Sequence, residues 1–89
     1  MEGSAFDGSR ANRFRKRPVV VDAIQWTGEN DREVAEFLGL PTDRRYREFS
    51  ILTLEGQMVV SLWDWIIRGV EGEFYPCKPD VFALTHEPA

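Results

Sequence analysis

The run Pro18-Val-Val-Val-Asp-Ala-Ile-Gln-Trp26 constrains the fold of this 89-residue chain more than any other stretch. At period two it splits into Val19, Val21, Ala23, Gln25 and Val20, Asp22, Ile24, Trp26. Both sets are largely apolar and β-branched residues dominate, so the run predicts a strand that is covered on both faces. A chain this short has room for one core and buries only about 60–65 % of its unfolded surface. The expected fold is therefore a layered single domain built around this strand.

The punctuation downstream sets the remaining elements. Thr27-Gly28 ends the strand. Asn30 followed by Glu33 reads as a capping box, in which the Asn side chain accepts a free backbone N–H and Glu33 reaches back to the cap. The helix it opens spans about residues 31–38, with Val34, Phe37 and Leu38 on one stripe and Asp31, Glu33 and Glu36 toward its positive end. Gly39 and Pro41 supply a left-handed stop. Residues 40–48 form a polar connection carrying the basic cluster Arg44, Arg45 and Arg47. SILTL and QMVVSLW then flank Glu55-Gly56, a hairpin signal, and WDWIIR and EFYPC flank the glycines of GVEG, a second one. Lys78-Pro79-Asp80 opens a turn, after which Val81–Leu84 forms a helical turn or a closing strand. The order β-α-β-β-β-β predicts an α+β domain, a small curved and mostly antiparallel β-sheet with one short α-helix packed on one face. Three tryptophans are expected to supply much of its core area.

Residues 1–14 show neither period and read as a disordered basic leader, with the single domain at 15–89. The charge is divided accordingly. Five of the eleven Lys and Arg residues, Arg10, Arg13, Arg15, Lys16 and Arg17, lie in the first 17 positions, which carry +3, while the remainder carries −7. An acidic body repels phosphate, so nucleic acid is not expected as a general partner, and its one route would be the arm Arg13, Arg15, Lys16 and Arg17. With 43 % hydrophobic and 29 % charged residues, neither wholesale disorder nor a fibrous chain is expected. A single cysteine, the lack of a signal-like N-terminus and the lack of an apolar run of membrane-spanning length predict a cytoplasmic protein.

The segments KRPVVVDAIQWTGEN, LTLEG, WIIRGVEGEFYPCKPDVF and the terminal HEP resemble a family of short uncharacterised phage and prophage proteins, found also in bacterial genomes. The typical text of that family runs KxPVVVEAIQWTG and then PGDWIIxGxxGEFYPCKPDxF. The resemblance covers about residues 16–30 and 51–87. It implies a phage or prophage origin and no established activity, and so brings no catalytic residues. Where the family text has Pro-Gly before Asp-Trp, this chain has Leu62-Trp63, which withdraws the tight turn. Trp63 is then expected to extend the preceding strand or to project outward as an added anchor.

Strand alternation in WDWIIR places Trp63, Trp65 and Ile67 on one side and Asp64, Ile66 and Arg68 on the other. A solvated indole side beside Tyr75, with Arg68 and Lys78 nearby, would be a binding surface of the kind interface hot spots use, and a covered one would be core. Asp64 is expected to accept N–H bonds at its turn or to pair with Arg68. Cys77 and His86 are the one pair that could suggest nucleophilic catalysis, and nothing in their spacing brings them together. No catalytic set, metal site or cofactor is expected. The leading expectation is a non-enzymatic protein-interaction module that binds a host or phage protein through an edge strand and an aromatic surface, with a homodimer through the same edge also implied. The alternatives are a module sequestering a small anionic ligand such as a nucleotide or metabolite, its anion fixed by Arg68 or Lys78, and nucleic-acid contact through the arm.

Overall fold

The computed structural model describes residues 11–14 and 18–89. The leader expected over residues 1–14 therefore falls mostly outside the described residues, as do Arg15, Lys16 and Arg17 of the arm.

The chain runs β1 (Asp22–Gln25), α1 (Asp31–Leu38), β2 (Phe49–Thr53), β3 (Gly56–Val60), β4 (Trp65–Arg68), β5 (Phe74–Cys77) and α2 (Pro79–Thr85). This is the expected α+β class and element order. Its strands divide into a three-stranded antiparallel sheet, β1-β4-β5, and the separate hairpin β2-β3. The Val34 stripe of α1 and the inward residues Phe49, Ile51 and Val60 of the hairpin converge with Trp26 and Ile66 on one core. Val34, Ala35 and Ile66 are fully buried there.

β1 is shorter than the sequence suggests. Its pairing with β4 begins at Asp22 opposite Arg68, because β4 turns away at Gly69 and offers nothing further to bond. Val19 and Val20 therefore lie beyond the sheet, 55 % and 75 % exposed.

Local signals hold at α1 with one correction. Gly39 takes the left-handed conformation, φ 76°, and the N–H groups of Gly39 and Leu40 close on the carbonyls of Glu36 and Ala35. Asn30 is the N-cap but makes no capping-box bond. Its Oδ1 instead accepts from Thr27 N–H at 3.0 Å and Thr27 Oγ1 at 3.1 Å, and its Nδ2 donates to the Gln25 carbonyl at 2.8 Å. The side chain is used to fasten the β1–α1 turn to the end of β1.

The β2–β3 loop is Leu54-Glu55, one residue earlier than expected, with Gly56 at φ 108° opening β3 opposite Thr53. The closing segment takes the helical alternative, with Pro79 in the first turn, where its missing N–H costs nothing. Of the tryptophans, Trp26 alone is core, at 4 % exposure, packed edge-on against Phe49 with ring centroids 5.0 Å apart.

Candidate binding surface

The five residues singled out in the sequence divide between the sheet's two faces, the turn that precedes β4 and, for Lys78, the N-cap of α2. Alternation holds within β4, so Trp65 and Ile67 share one face and Ile66 and Arg68 the other. Trp65 is covered. The ring of Phe82 from α2 stacks on its indole at 4.1 Å and 5°, and the His86 imidazole stacks on Phe82 at 4.5 Å and 4°. This three-ring column fastens α2 to the sheet, so Trp65 serves the fold. Tyr75 lies opposite Ile67 on β5, 37 % exposed.

Both expected cations are engaged. Arg68 donates from Nη2 to Asp22 at 2.7 Å, and its guanidinium lies 5.0 Å from the centroid of the Phe37 ring on α1. Lys78 Nζ lies 3.2 Å from Asp64 Oδ2. Neither is a free anchor for an anion. Asp64 is 2 % exposed and accepts the Ser61 N–H at 2.9 Å, which is the expected turn role, but its ionic partner is Lys78 and not Arg68.

Trp63 takes the second of its two expected courses: it extends no strand and projects outward. Ser61 to Asp64 form a turn closed by Asp64 N–H to the Ser61 carbonyl at 3.0 Å, with Leu62 and Trp63 at its centre, so the tight turn survives without Pro-Gly. Trp63 occupies the position that requires positive φ, at 75°, and is the one non-glycine residue to do so among the described residues. Its backbone is held by two bonds: the N–H donates to the Trp26 carbonyl at 2.7 Å, and the Trp63 carbonyl accepts from Gln25 Nε2 at 2.9 Å. The indole remains half exposed, at 50 %. Because both bonds run to the end of β1, the outward tryptophan adjoins that strand.

Among the described residues, β1 is also an open edge of the sheet. On the opposite edge, β5 carries Pro76, which has no N–H to offer a further strand. β1 carries no such block, and Trp26 N–H bonds toward β4, to the Asp64 carbonyl at 2.9 Å. Alternation then turns the backbone groups of Ala23 away from the sheet.

Burial first, and then the nearby carboxylates of Asp64 and Asp80, push the Cys77 thiol above its ordinary range, which disfavours the thiolate. Cys77 Sγ sits 3.7 Å from the Lys78 carbonyl, while His86 Nδ1 is 2.8 Å from Thr85 Oγ1. The structure thus gives thiol and imidazole separate partners. No group of three His, Cys, Asp or Glu side chains is placed to hold a metal among the described residues, and none of the described helices is long and apolar enough to cross a membrane. Arg13 is exposed.

Sequence reasoning missed Gln25, which fixes Trp63, and Asp31, which fixes the connection after α1. Asp31 is 7 % exposed and accepts Tyr46 N–H at 2.9 Å and Arg45 Nε at 3.3 Å. The Tyr46 N–H bond, more than the exposed Arg45 charge, holds the Asp31 carboxyl below its ordinary value, and partial desolvation opposes it. An acidic residue at a helix start signals only a favourable dipole, so nothing in the sequence pointed 15 residues onward.

No family model matches the chain, and neither does any curated protein or solved structure.

Proposed function

We propose that the protein is a non-enzymatic interaction module, a small accessory protein of phage or prophage type, that captures a partner protein on Trp63 and the adjoining open edge of β1. The observation that carries this reading is the backbone of Trp63. A left-handed conformation costs a non-glycine residue about 1–2 kcal/mol, and glycine would occupy the site without that penalty. The chain instead holds a tryptophan there, half exposed, beside a strand edge that is unpaired among the described residues. Strain retained in this way is characteristic of functional positions, and tryptophan is the side chain most enriched at interface hot spots. An extended segment of the partner adding to β1 would pair with the groups turned outward at Ala23 while its side chains meet the indole.

Capture of partners from host lysate by wild type and by Trp63→Gly tests the reading. The glycine variant relieves the backbone, so a lost partner reports the missing indole and not a damaged fold. Equal recovery of every captured protein by both forms would refute the assignment.

A further inference from the structure

A cleft lined by Leu62 of the same turn does not include Trp63 and is independent of partner capture. The connection between α1 and β2 is polar, yet it is firmly held. Asp31 fixes the backbone at Tyr46, the Tyr46 hydroxyl donates to the Pro41 carbonyl at 2.7 Å, and the Tyr46 ring stacks on Phe49 with centroids 5.1 Å apart. This places Arg45 and Arg47 at the rim of a cleft of about 530 Å³, whose walls include Trp26, Tyr46, Val59 and Leu62. Val59 and Leu62 are 64 % and 52 % exposed, an apolar wall without a cover. Leu62 rests against Gly28, where a Cβ would come within 2.9 Å of its Cδ1, so the wall is packed from behind.

Two guanidinium groups at this rim have donors to spare. From Pro18 onward, Arg44, Arg68 and Lys78 are each committed to a carboxylate, and Arg32, which does not line the cleft, is not. Arg47 has no hydrogen-bond or ion-pair partner among the described residues. Arg45 meets Asp31 through Nε alone and is 89 % exposed, so its terminal N–H groups remain available. Glu48 also lines the cleft, so its lining carries two guanidinium groups against one carboxylate, with the Asp31 carboxylate paired to Arg45 beside it. A volume of this size lies within the range of small-molecule sites, about 300–1,000 Å³. Guanidinium and phenol groups both favour the face of a planar ring, and guanidinium favours a bidentate oxyanion.

We propose that this cleft binds a planar aromatic anion of nucleoside monophosphate type, with its ring against Val59 and Leu62 and its anionic group on Arg47 and Arg45. The site differs from the one expected from the sequence, since it uses neither Arg68 nor Lys78.

Calorimetric titration with adenosine monophosphate, adenosine and inorganic phosphate tests it on the intact protein. The monophosphate is expected to bind saturably, with the nucleoside and phosphate each at least tenfold weaker, because each presents half of the recognised chemistry. Arg47→Ala, at an exposed position without a partner, should weaken the monophosphate at least tenfold with an unchanged melting temperature. Val59→Glu, which adds a carboxylate to the wall, should do the same. Absence of monophosphate binding, affinity for phosphate equal to that for the monophosphate, or affinity that survives Arg47→Ala would each overturn the proposal.

Discussion

The two faces of the β1-β4-β5 sheet are covered by different means. On one face Ile66 is fully buried beneath α1 and the β2–β3 hairpin, in a cluster that includes Val34, Ala35, Phe49, Ile51 and Val60. On the other, Ile67 is buried as well, at 1 % exposure, but outside that cluster, and α2 contributes no buried residue of its own and is fastened through the rings of Phe82 and His86 over Trp65. Val81 and Leu84 on α2 are 48 % and 87 % exposed. The main core cluster lies on the α1 face, and the other face buries Ile67 beneath a helix that keeps no buried residue of its own. A helix attached in this way leaves outer surfaces free for recognition without spending the core on them.

The largest expected effect is on the packed face. Ile66→Ala removes a fully buried side chain from the centre of the cluster, and its cost is expected at about 2–5 kcal/mol. For a domain of this size each kcal/mol lowers the melting temperature by about 4–8 °C, so thermal unfolding will register it plainly. Phe82→Ala cuts the ring column at its middle. Ring stacking contributes about 0.5–1.5 kcal/mol beyond area burial, and Phe82 is only half buried. The expected loss is smaller than for Ile66 and confined to α2, seen as faster hydrogen exchange at the α2 amides while those of β4 keep their protection. A Phe82→Ala cost equal to that of Ile66→Ala would mean that the two faces form one cooperative unit and would break the comparison.

The same contrast explains how much was legible in the sequence. Local chemistry marked α1, where the apolar stripe and the left-handed Gly39 need no distant partner, and it marked both hairpins and the first turn of α2. The Trp63 turn was not legible, because strand propensity favours a tryptophan after QMVVSL. The turn is instead imposed by backbone bonds to Trp26 and Gln25, some 37 residues earlier in the chain. Trp65 was assigned to the correct face, but its covering ring lies at Phe82, in a segment whose sequence admitted helix or strand equally. Arg68 and Lys78 looked free because their carboxylate partners, Asp22 and Asp64, lie 46 and 14 residues away. At the candidate site, residue type was readable and engagement was not.

Trp63 connects stability to recognition, and its backbone contribution is read from the difference between two variants. Trp63→Gly removes left-handed strain of about 1–2 kcal/mol, part of which is offset by glycine's greater freedom in the unfolded chain and by lost contacts of the half-buried indole. The terms largely cancel, and Trp63→Gly is expected to stay within about 1 kcal/mol of the wild type. Trp63→Ala keeps the strain and loses the contacts, so it should be less stable than the glycine variant by about 1 kcal/mol or more. Urea unfolding of the two variants isolates the backbone contribution, and equal midpoints would show that the position carries no strain.

The smallest effect is expected at Asp31 and is read most cleanly as a function of pH. Its carboxyl is held below the ordinary value of 3.8 in the folded protein, chiefly by the Tyr46 N–H. The unfolded chain therefore binds a proton at this group more readily than the folded one, and stability rises with pH across the interval between the two values. The contribution is fully present above the ordinary carboxyl value and is lost as pH falls through the folded one. Asp31→Asn retains an amide oxygen that can still accept from Tyr46 but cannot ionise. The wild type should accordingly be the more stable form at neutral pH, with its advantage shrinking below about pH 4. Hydrogen exchange at Tyr46 adds a local reading, since the bond anchors the connection that carries Arg45 and Arg47. A wild-type advantage that stays constant through acid would place the effect in packing and remove the carboxylate charge from the account of how that cleft is held.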